Sequence, residues 1–358
     1  MQTEAVDPSI MRGPQELLMK LSQGYEPSKQ EWCLLIAGEY DRSLLYTMAD
    51  EVRKRHYGTD VYIRGLIEIS SYCRNDCLYC GIRRSNVHAK RYRLSQEEIL
   101  SCCDKGYALG FRTFVLQGGE DAYFTTEYVA GIVSAIKGTY PDCAVTLSLG
   151  ERERTDYEAW YRAGADRYLL RHETASKEHY EKIHPPGLSL EHRIQCLHDL
   201  KEIGYQTGCG FMVGSPYQKT EHMAEDMQLL QKFRPHMVGI GPFIPHHDTP
   251  FREYVQGSLT QTLTMVALTR LALPGALIPS TTALGTIHPE GRELGLRAGA
   301  NVIMPNLSPE TVRSQYALYD NKKCTGDEAA EGLTNLKHRV ADAGYRIVVD
   351  RGDCCPGQ

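Results

Sequence analysis

Three cysteines stand within eight residues, in Ser71-Tyr72-Cys73-Arg74-Asn75-Asp76-Cys77-Leu78-Tyr79-Cys80-Gly81, spaced C-x3-C-x2-C. Thiolates are soft ligands suited to zinc or to iron–sulfur clusters. A structural zinc site closes on four ligands, usually as two separated pairs, and no second pair lies near this one in the sequence. A ferredoxin cubane also takes four cysteines. Three sulfurs on a four-iron cluster leave one iron open, and an open position is where a metal site does chemistry. The plainer alternative is three cysteines packed in a loop or serving an unrelated redox role.

Such a loop needs a frame. A largely apolar run at 61–69 precedes it and reads as a strand, and further β-rich runs follow at 112–117, 144–149, 166–171, 206–213, 236–242, 277–282 and 301–305. Helical stretches fill the gaps. Some open with a capping box, as in Ser95-Gln-Glu-Glu98 and Thr155-Asp-Tyr-Glu158. Gly110, Gly164, Gly204 and Gly299 each stand just before a strand, where a left-handed residue stops a helix. About eight βα units predict an α/β fold, a (βα)8 TIM-type barrel with function on the face at the strands' C-terminal ends. The cysteine loop follows the first strand and so falls on that face.

Upstream, Leu17, Leu18 and Leu21, then Leu34 and Leu35, then Leu44, Leu45, Met48 and Val52 recur at helical spacing, with Pro27 and Asp41 as helix starts. The expected organisation is an N-terminal helical cap (1–59), the barrel (60–320) and a short C-terminal extension (321–358).

Several polar residues fall near the predicted barrel mouth. Side chains two apart on a strand share a face, which pairs Thr146 with Ser148 and Arg171 with Glu173. The second pair is either a salt bridge closing the barrel top or the wall of a chamber for a charged small molecule. Gly118-Gly119 lets a ligand approach the backbone, or is simply a turn. Gly208 and Gly210 leave room for a ligand or a tight bend. His246, His247 and Asp248 could ligate a metal, although their proline-framed loop favours a rigid connection. Thr281, Thr282, Met304, Asn306, Tyr316 and Tyr319 follow the last two strands.

The 358 residues carry a net charge of −5, which argues against a nucleic-acid partner. No signal peptide and no run of ~20 apolar residues is legible, so no membrane association is expected. With twelve scattered cysteines, the expected setting is a reducing cytoplasm.

The cysteine loop after the first strand, with Tyr79 before its last cysteine, and the Gly118-Gly119-Glu120 stretch resemble the radical S-adenosylmethionine (SAM) superfamily. Within it the chain is similar to the HydE family of [FeFe]-hydrogenase maturases. The shared stretches are 73–84, Lys90-Arg-Tyr-Arg93, Thr146-Leu-Ser-Leu-Gly-Glu151, 163–174, 237–250, Thr281-Thr-Ala-Leu-Gly285 and 298–306. The cysteine motif alone does not separate it from biotin synthase or methylornithine synthase.

The resemblance implies that Cys73, Cys77 and Cys80 hold one [4Fe–4S] cluster whose open iron takes the amino and carboxylate groups of SAM. Glu173 and Arg193 would contact SAM, with Tyr79, Gly118, Gly119, Ser148, Met212 and Ile240 around it. Reductive cleavage would yield methionine and a 5′-deoxyadenosyl radical, so the cofactors carry the chemistry and no side chain is assigned as catalytic. The implied substrate is a small iron carbonyl/cyanide complex of cysteine, on the way to the azadithiolate-bridged di-iron subcluster. Implied partners are a radical SAM tyrosine lyase, a maturation GTPase and an electron donor. Arg64, Thr146, Arg171, Thr281, Thr282, Met304, Tyr316 and Tyr319 match positions around the family's anion- and substrate-binding chamber.

One departure stands out. Many members of the family carry three further cysteines for a second cluster, whereas here Cys324 stands alone until Cys354-Cys355, so a second cluster is not expected. Those last two read as part of a frayed polar tail. Two other readings stay open: a radical SAM mutase or synthase acting on an amino acid, and a non-catalytic iron–sulfur carrier.

Overall fold

The first strand breaks in two at Arg64, giving β1 (Asp60–Ile63) and β2 (Gly65–Ser70). In the computed structural model, which describes residues 13–38, 40–324 and 330–355, β2 opens a run of parallel strands. These are β3 (Thr113–Gly118), β4 (Ala144–Ser148), β5 (Arg167–Leu169), β6 (Gln206–Cys209), β7 (Met212–Val213), β8 (Met237–Val238) and β9 (Gly241–Pro242). The ring closes through single bridges and one two-residue ladder rather than long ladders. Met237 pairs with Leu277, Pro279 with Val302, and β10 (Val302–Ile303) with β1, while Asn306 pairs with Leu66. These contacts make eight parallel staves, with the stretch at 277–280 as the seventh. Every residue of β2 is buried, as a strand covered on both faces requires.

Local signals in the sequence account for most of the joints. Gly110, Gly164, Gly204 and Gly299 have φ of +95°, +108°, +112° and +102°, and each ends a helix. Ser95 and Glu98 form the expected capping box. The second box does not form. Helix Arg154–Arg162 begins a residue before Thr155, with the Glu153 amide on the Asp156 carboxylate (3.2 Å). Glu158 instead pairs with Arg154 (3.1 Å), the neighbour four residues back.

The upstream segment forms three helices, Pro14–Leu21, Lys29–Ala37 and Arg42–Tyr57. Asp41 caps the third; the second is capped by Ser28, one residue after Pro27. They pack on the outer helices of the barrel, with Trp32 Nε1 donating to Gln231 Oε1 (2.8 Å). Residues 1–12 and 39 of the expected cap lie outside the described residues, as do 325–329 and 356–358 of the expected extension. Among the described residues no helix is long and apolar enough to cross a membrane.

The C-terminal segment returns to the barrel. Strand β11 (Arg346–Val348) pairs in parallel with β1, and the chain then crosses the bottom of the barrel. Arg167, fully buried, donates to Thr113 Oγ1 (2.9 Å), to the carbonyls of Arg351 (2.9 Å) and Gly352 (3.1 Å) and to the Asp353 carboxylate. The Cys354 amide donates to Gln206 Oε1 (3.1 Å) and the Cys355 amide to the Tyr57 hydroxyl (3.2 Å). The expected frayed tail is therefore replaced, through Cys355, by a docked one, because a buried guanidinium needs these acceptors. Arg167→Met removes the charged donor from the Arg351 and Gly352 carbonyls, while Asp353 keeps Arg351 Nε (3.0 Å) and Gln206 Nε2 (2.8 Å), and it is expected to cost about 3 kcal/mol. A lower urea midpoint for the variant than for the parent protein checks this.

Candidate active site

The cysteine loop is held from several sides. Ser70 Oγ and the Arg93 guanidinium both reach the Asp121 carboxylate (2.7 Å each), and Arg91 donates to the carbonyls of Ser71, Ile82 and Arg83. Asp76 accepts from Arg83 Nε (2.7 Å) and Ser85 Oγ (2.6 Å), which pins the middle of the loop. Gly119 is where the loop meets β3. A Cβ there would collide with the Tyr72 carbonyl and crowd Cys73, so only glycine allows this approach. The Gly81 amide bonds to the Leu318 carbonyl (2.8 Å), joining the loop to the returning chain.

The three thiols lie close enough to feel one another's charge. Burial pushes Cys77 up to about 12 and raises Cys73 and Cys80 as well. A charge on Cys73 would raise Cys77 further, and both would raise Cys80; Arg193 is the main opposing influence at Cys77. Three such thiols lose their protons together only against strong positive charge, which a cluster of iron ions supplies. This donor set fits a cluster held by three sulfurs. The Tyr79 hydroxyl lies 3.2 Å from His184 Nε2, and burial pulls that histidine down to about 3, so its ring is neutral.

Beneath the loop lies a cavity of about 220 Å³. Among the predicted residues its lining includes Tyr79, Cys80, Arg171, Glu173, Met212, Thr281, Thr282, Met304 and Tyr319. Arg171 Nη2 and Glu173 Oε2 stand 3.0 Å apart without hydrogen-bond geometry. Those two atoms, Arg171 Nε and the hydroxyls of Thr146 and Thr281 are all buried and make no hydrogen bond. Polar atoms placed this way need a further partner, a ligand or ordered water. Glu173 also holds a left-handed backbone, φ +65°, tied by its amide to the Gly210 carbonyl (3.0 Å). Such strain in a non-glycine residue collects at ligand sites.

Other predicted residues surround this cavity without lining it. Gly118 and Gly119 close the end of β3, Ser148 ends β4 opposite Gln117, and Ile240 is fully buried. Arg193 lies behind Cys77, its Nε on Glu151 Oε1 (2.6 Å) and its Nη1 on the Arg171 carbonyl (3.0 Å). Tyr316 is buried with its hydroxyl 3.5 Å from Gln117 Nε2. Arg64 lies lower in the barrel, near Arg167 and Asp353, with Nη1 on Met237 Sδ (3.0 Å). The strand-parity rule explains this: Arg64, Leu66 and Glu68 all point inward, and only the upper two reach the cavity.

His246, His247 and Asp248 stand together in one loop, and His246 and His247 lie with Asp320 so that one ligand atom from each falls within 4.8 Å of the others. His247 Nδ1 pairs with Asp320 Oδ1 (2.6 Å) and the Asp248 amide donates to His246 Nδ1 (3.1 Å).

Glu68, Gln117 and Lys322 also line the cavity and were not singled out from the sequence. Glu68 is fully buried, with Oε1 on Lys322 Nζ (2.5 Å) and Oε2 accepting from Asn306 Nδ2 (2.9 Å). An acid inside an apolar strand was the available signal for Glu68. Lys322 offered none, since its place depends on the chain's return from 254 residues away.

Residues 67–230 match the radical SAM superfamily. The chain is 51% identical over 280 residues to the [FeFe] hydrogenase maturase subunit HydE of Thermotoga maritima, covering 78% of this chain and 80% of that one. Among solved structures it is similar to methylornithine synthase (PylB), with a TM-score of 0.81 at 26% identity over 93% of this chain and 97% of that one. The fold is also that of HydG, a maturase of the [FeFe]-hydrogenase, with a TM-score of 0.78 at 20% identity over 94% of this chain and 76% of that one. A barrel with three cysteines after its first stave, and identity at half the aligned positions over four-fifths of a curated relative, place the protein: the chain belongs to the HydE-like [FeFe]-hydrogenase maturases of the radical SAM superfamily.

Proposed function

We propose that Cys73, Cys77 and Cys80 hold one [4Fe–4S] cluster, with SAM against Glu173 and Arg193. When bound, this pair of cofactors supplies the 5′-deoxyadenosyl radical by reductive cleavage of SAM. The chain's part is to bind, orient and exclude water. Arg193 has Nε and Nη1 committed, leaving Nη2 for the SAM carboxylate. Tyr79, Gly118, Gly119, Ser148, Met212 and Ile240 would shape the rest of that site.

The substrate proposed for the inner cavity is an iron carbonyl/cyanide complex of cysteine, delivered from a radical SAM tyrosine lyase. A maturation GTPase and an electron donor would be further partners, all in a reducing cytoplasm where the cysteines outside the cluster stay thiols. The carrying observation is the cavity beside Cys80 with unbonded Arg171 and Thr281 atoms on its wall. A guanidinium with Nε and Nη2 both unbonded can clamp a carboxylate through paired bonds. Thr146, Thr282, Met304, Tyr316 and Tyr319 would complete this chamber, with Arg64 below it. A second reading, an amino acid as substrate, draws support from the likeness to methylornithine synthase and from the same clamp. Membership of an enzyme family leaves the passive carrier without support.

Anaerobic reconstitution followed by reduction with SAM is expected to release methionine and 5′-deoxyadenosine; chromatography of the products checks it, and their absence with the iron complex supplied sinks the reading. Cys77→Ser is expected to lose the cluster's absorbance and the cleavage while circular dichroism stays that of the folded barrel. Arg171→Gln is expected to keep SAM cleavage without substrate and to lower turnover of the cysteine–iron complex by about a hundredfold, the range for a lost charged clamp. Equal turnover of the iron complex by variant and parent argues that its carboxylate lies elsewhere. Acceptance of a metal-free amino acid in its place favours the second reading.

A further inference from the structure

Glu151 has no part in the cavity, yet it is buried and every polar group on it is engaged. Its residue stands on the turn after β4, with Oε1 on Arg193 Nε and Oε2 on His192 Nδ1, both 2.6 Å. The two partners are consecutive residues of helix Leu190–Ile203. The Glu151 amide donates to Glu120 Oε1 (2.9 Å), and its carbonyl accepts from Arg74 Nη2 (3.3 Å). Arg74 in turn places its Nε on Glu120 Oε2 (3.0 Å) and its amide on the Glu120 carbonyl (2.9 Å).

These bonds form one continuous path. It starts between Cys73 and Cys77 at Arg74, passes through Glu120 and Glu151, and ends on Arg193. From there Arg193 Nη1 reaches the Arg171 carbonyl (3.0 Å), at the end of the fifth stave. Gly150 is what lets the path close. Its φ is +76°, and a Cβ there would collide with the Glu120 carboxylate.

We propose that Glu151 is a positioning residue for the SAM site: it holds the Arg193 guanidinium in register with the cysteine loop. The proposal rests on the reading of Arg193 as a SAM contact. The physical case is one of torsional freedom. An arginine side chain has several rotatable bonds, and ordering them costs conformational entropy. A carboxylate on Nε fixes the plane of the guanidinium before the ligand arrives, so the ordering cost is not taken from binding. An ion pair that served only stability would be replaceable by apolar side chains. Here one carboxylate takes two adjacent side chains of a helix, and its backbone is tied to the loop that carries the thiols.

The test uses the reconstituted holoenzyme with Glu151→Gln, Arg193→Met and the double variant. Glu151→Gln keeps the size of the side chain and removes its charge. The cluster's electron paramagnetic resonance signal without SAM is expected to be unchanged. The KM for SAM in cleavage without substrate is expected to rise about tenfold with kcat within about twofold, the split expected when ligand binding alone is weakened. In the Arg193→Met background the same change is expected to add nothing, since the two residues act as a unit. If Arg193→Met leaves KM unaltered, the reading of Arg193 as a SAM contact fails. If Arg193→Met raises KM but Glu151→Gln does not, or if Glu151→Gln raises it equally in both backgrounds, Glu151 does not act through Arg193 and the proposal is overturned.

Discussion

A guanidinium enclosed in a barrel costs several kcal/mol unless acceptors surround it, and the inner faces of these staves carry Arg64, Arg167 and Arg171. The barrel's upper and lower halves meet that demand differently. At the bottom, Arg167 is saturated by the returning C-terminal chain, whose carbonyls and Asp353 are brought there by the pairing of β11 with β1. At the top, Arg171 has Glu173 beside it but keeps two nitrogens without hydrogen bonds. Arg167 is therefore finished by protein, whereas Arg171, and Arg64 with its Nε and Nη2, keep donors without hydrogen bonds.

The top is also where backbone closeness matters most. Gly119 brings β3 against the cysteine loop, and Gly150 brings the turn after β4 against Glu120. Each removes a side chain exactly where two strands' loops would otherwise be held apart, and so the first three staves share one rim. The returning chain completes it: Leu318 bonds to the residue after Cys80, and Lys322 reaches Glu68 within the cavity.

These features explain why a short motif belongs to such a large fold. Charges on three thiols held close together repel one another, and the loop that brings them together is itself held by Arg91, Asp76 and Asp121. Those anchors come from the loop and from the end of the second stave. The long chain beyond supplies the cavity and its charged lining.

By itself the sequence determined what depends on neighbours along the chain. The C-x3-C-x2-C spacing, the alternation of apolar strands with capped helices and the left-handed glycines at 110, 164, 204 and 299 are local features, and they led to a barrel and to its functional face. Parity along a strand likewise put Arg171 and Glu173 on one side. Only the tertiary structure decided how far up the barrel each inward residue sits, which separates Arg64 from the cavity that Glu68 lines. It also decided the partners Lys322 for Glu68, Arg351 to Asp353 for Arg167, and Glu151 for Arg193. Such pairs join residues tens to hundreds of positions apart, and local periodicity carries no information about which of many polar side chains the closed ring will bring within hydrogen-bonding reach.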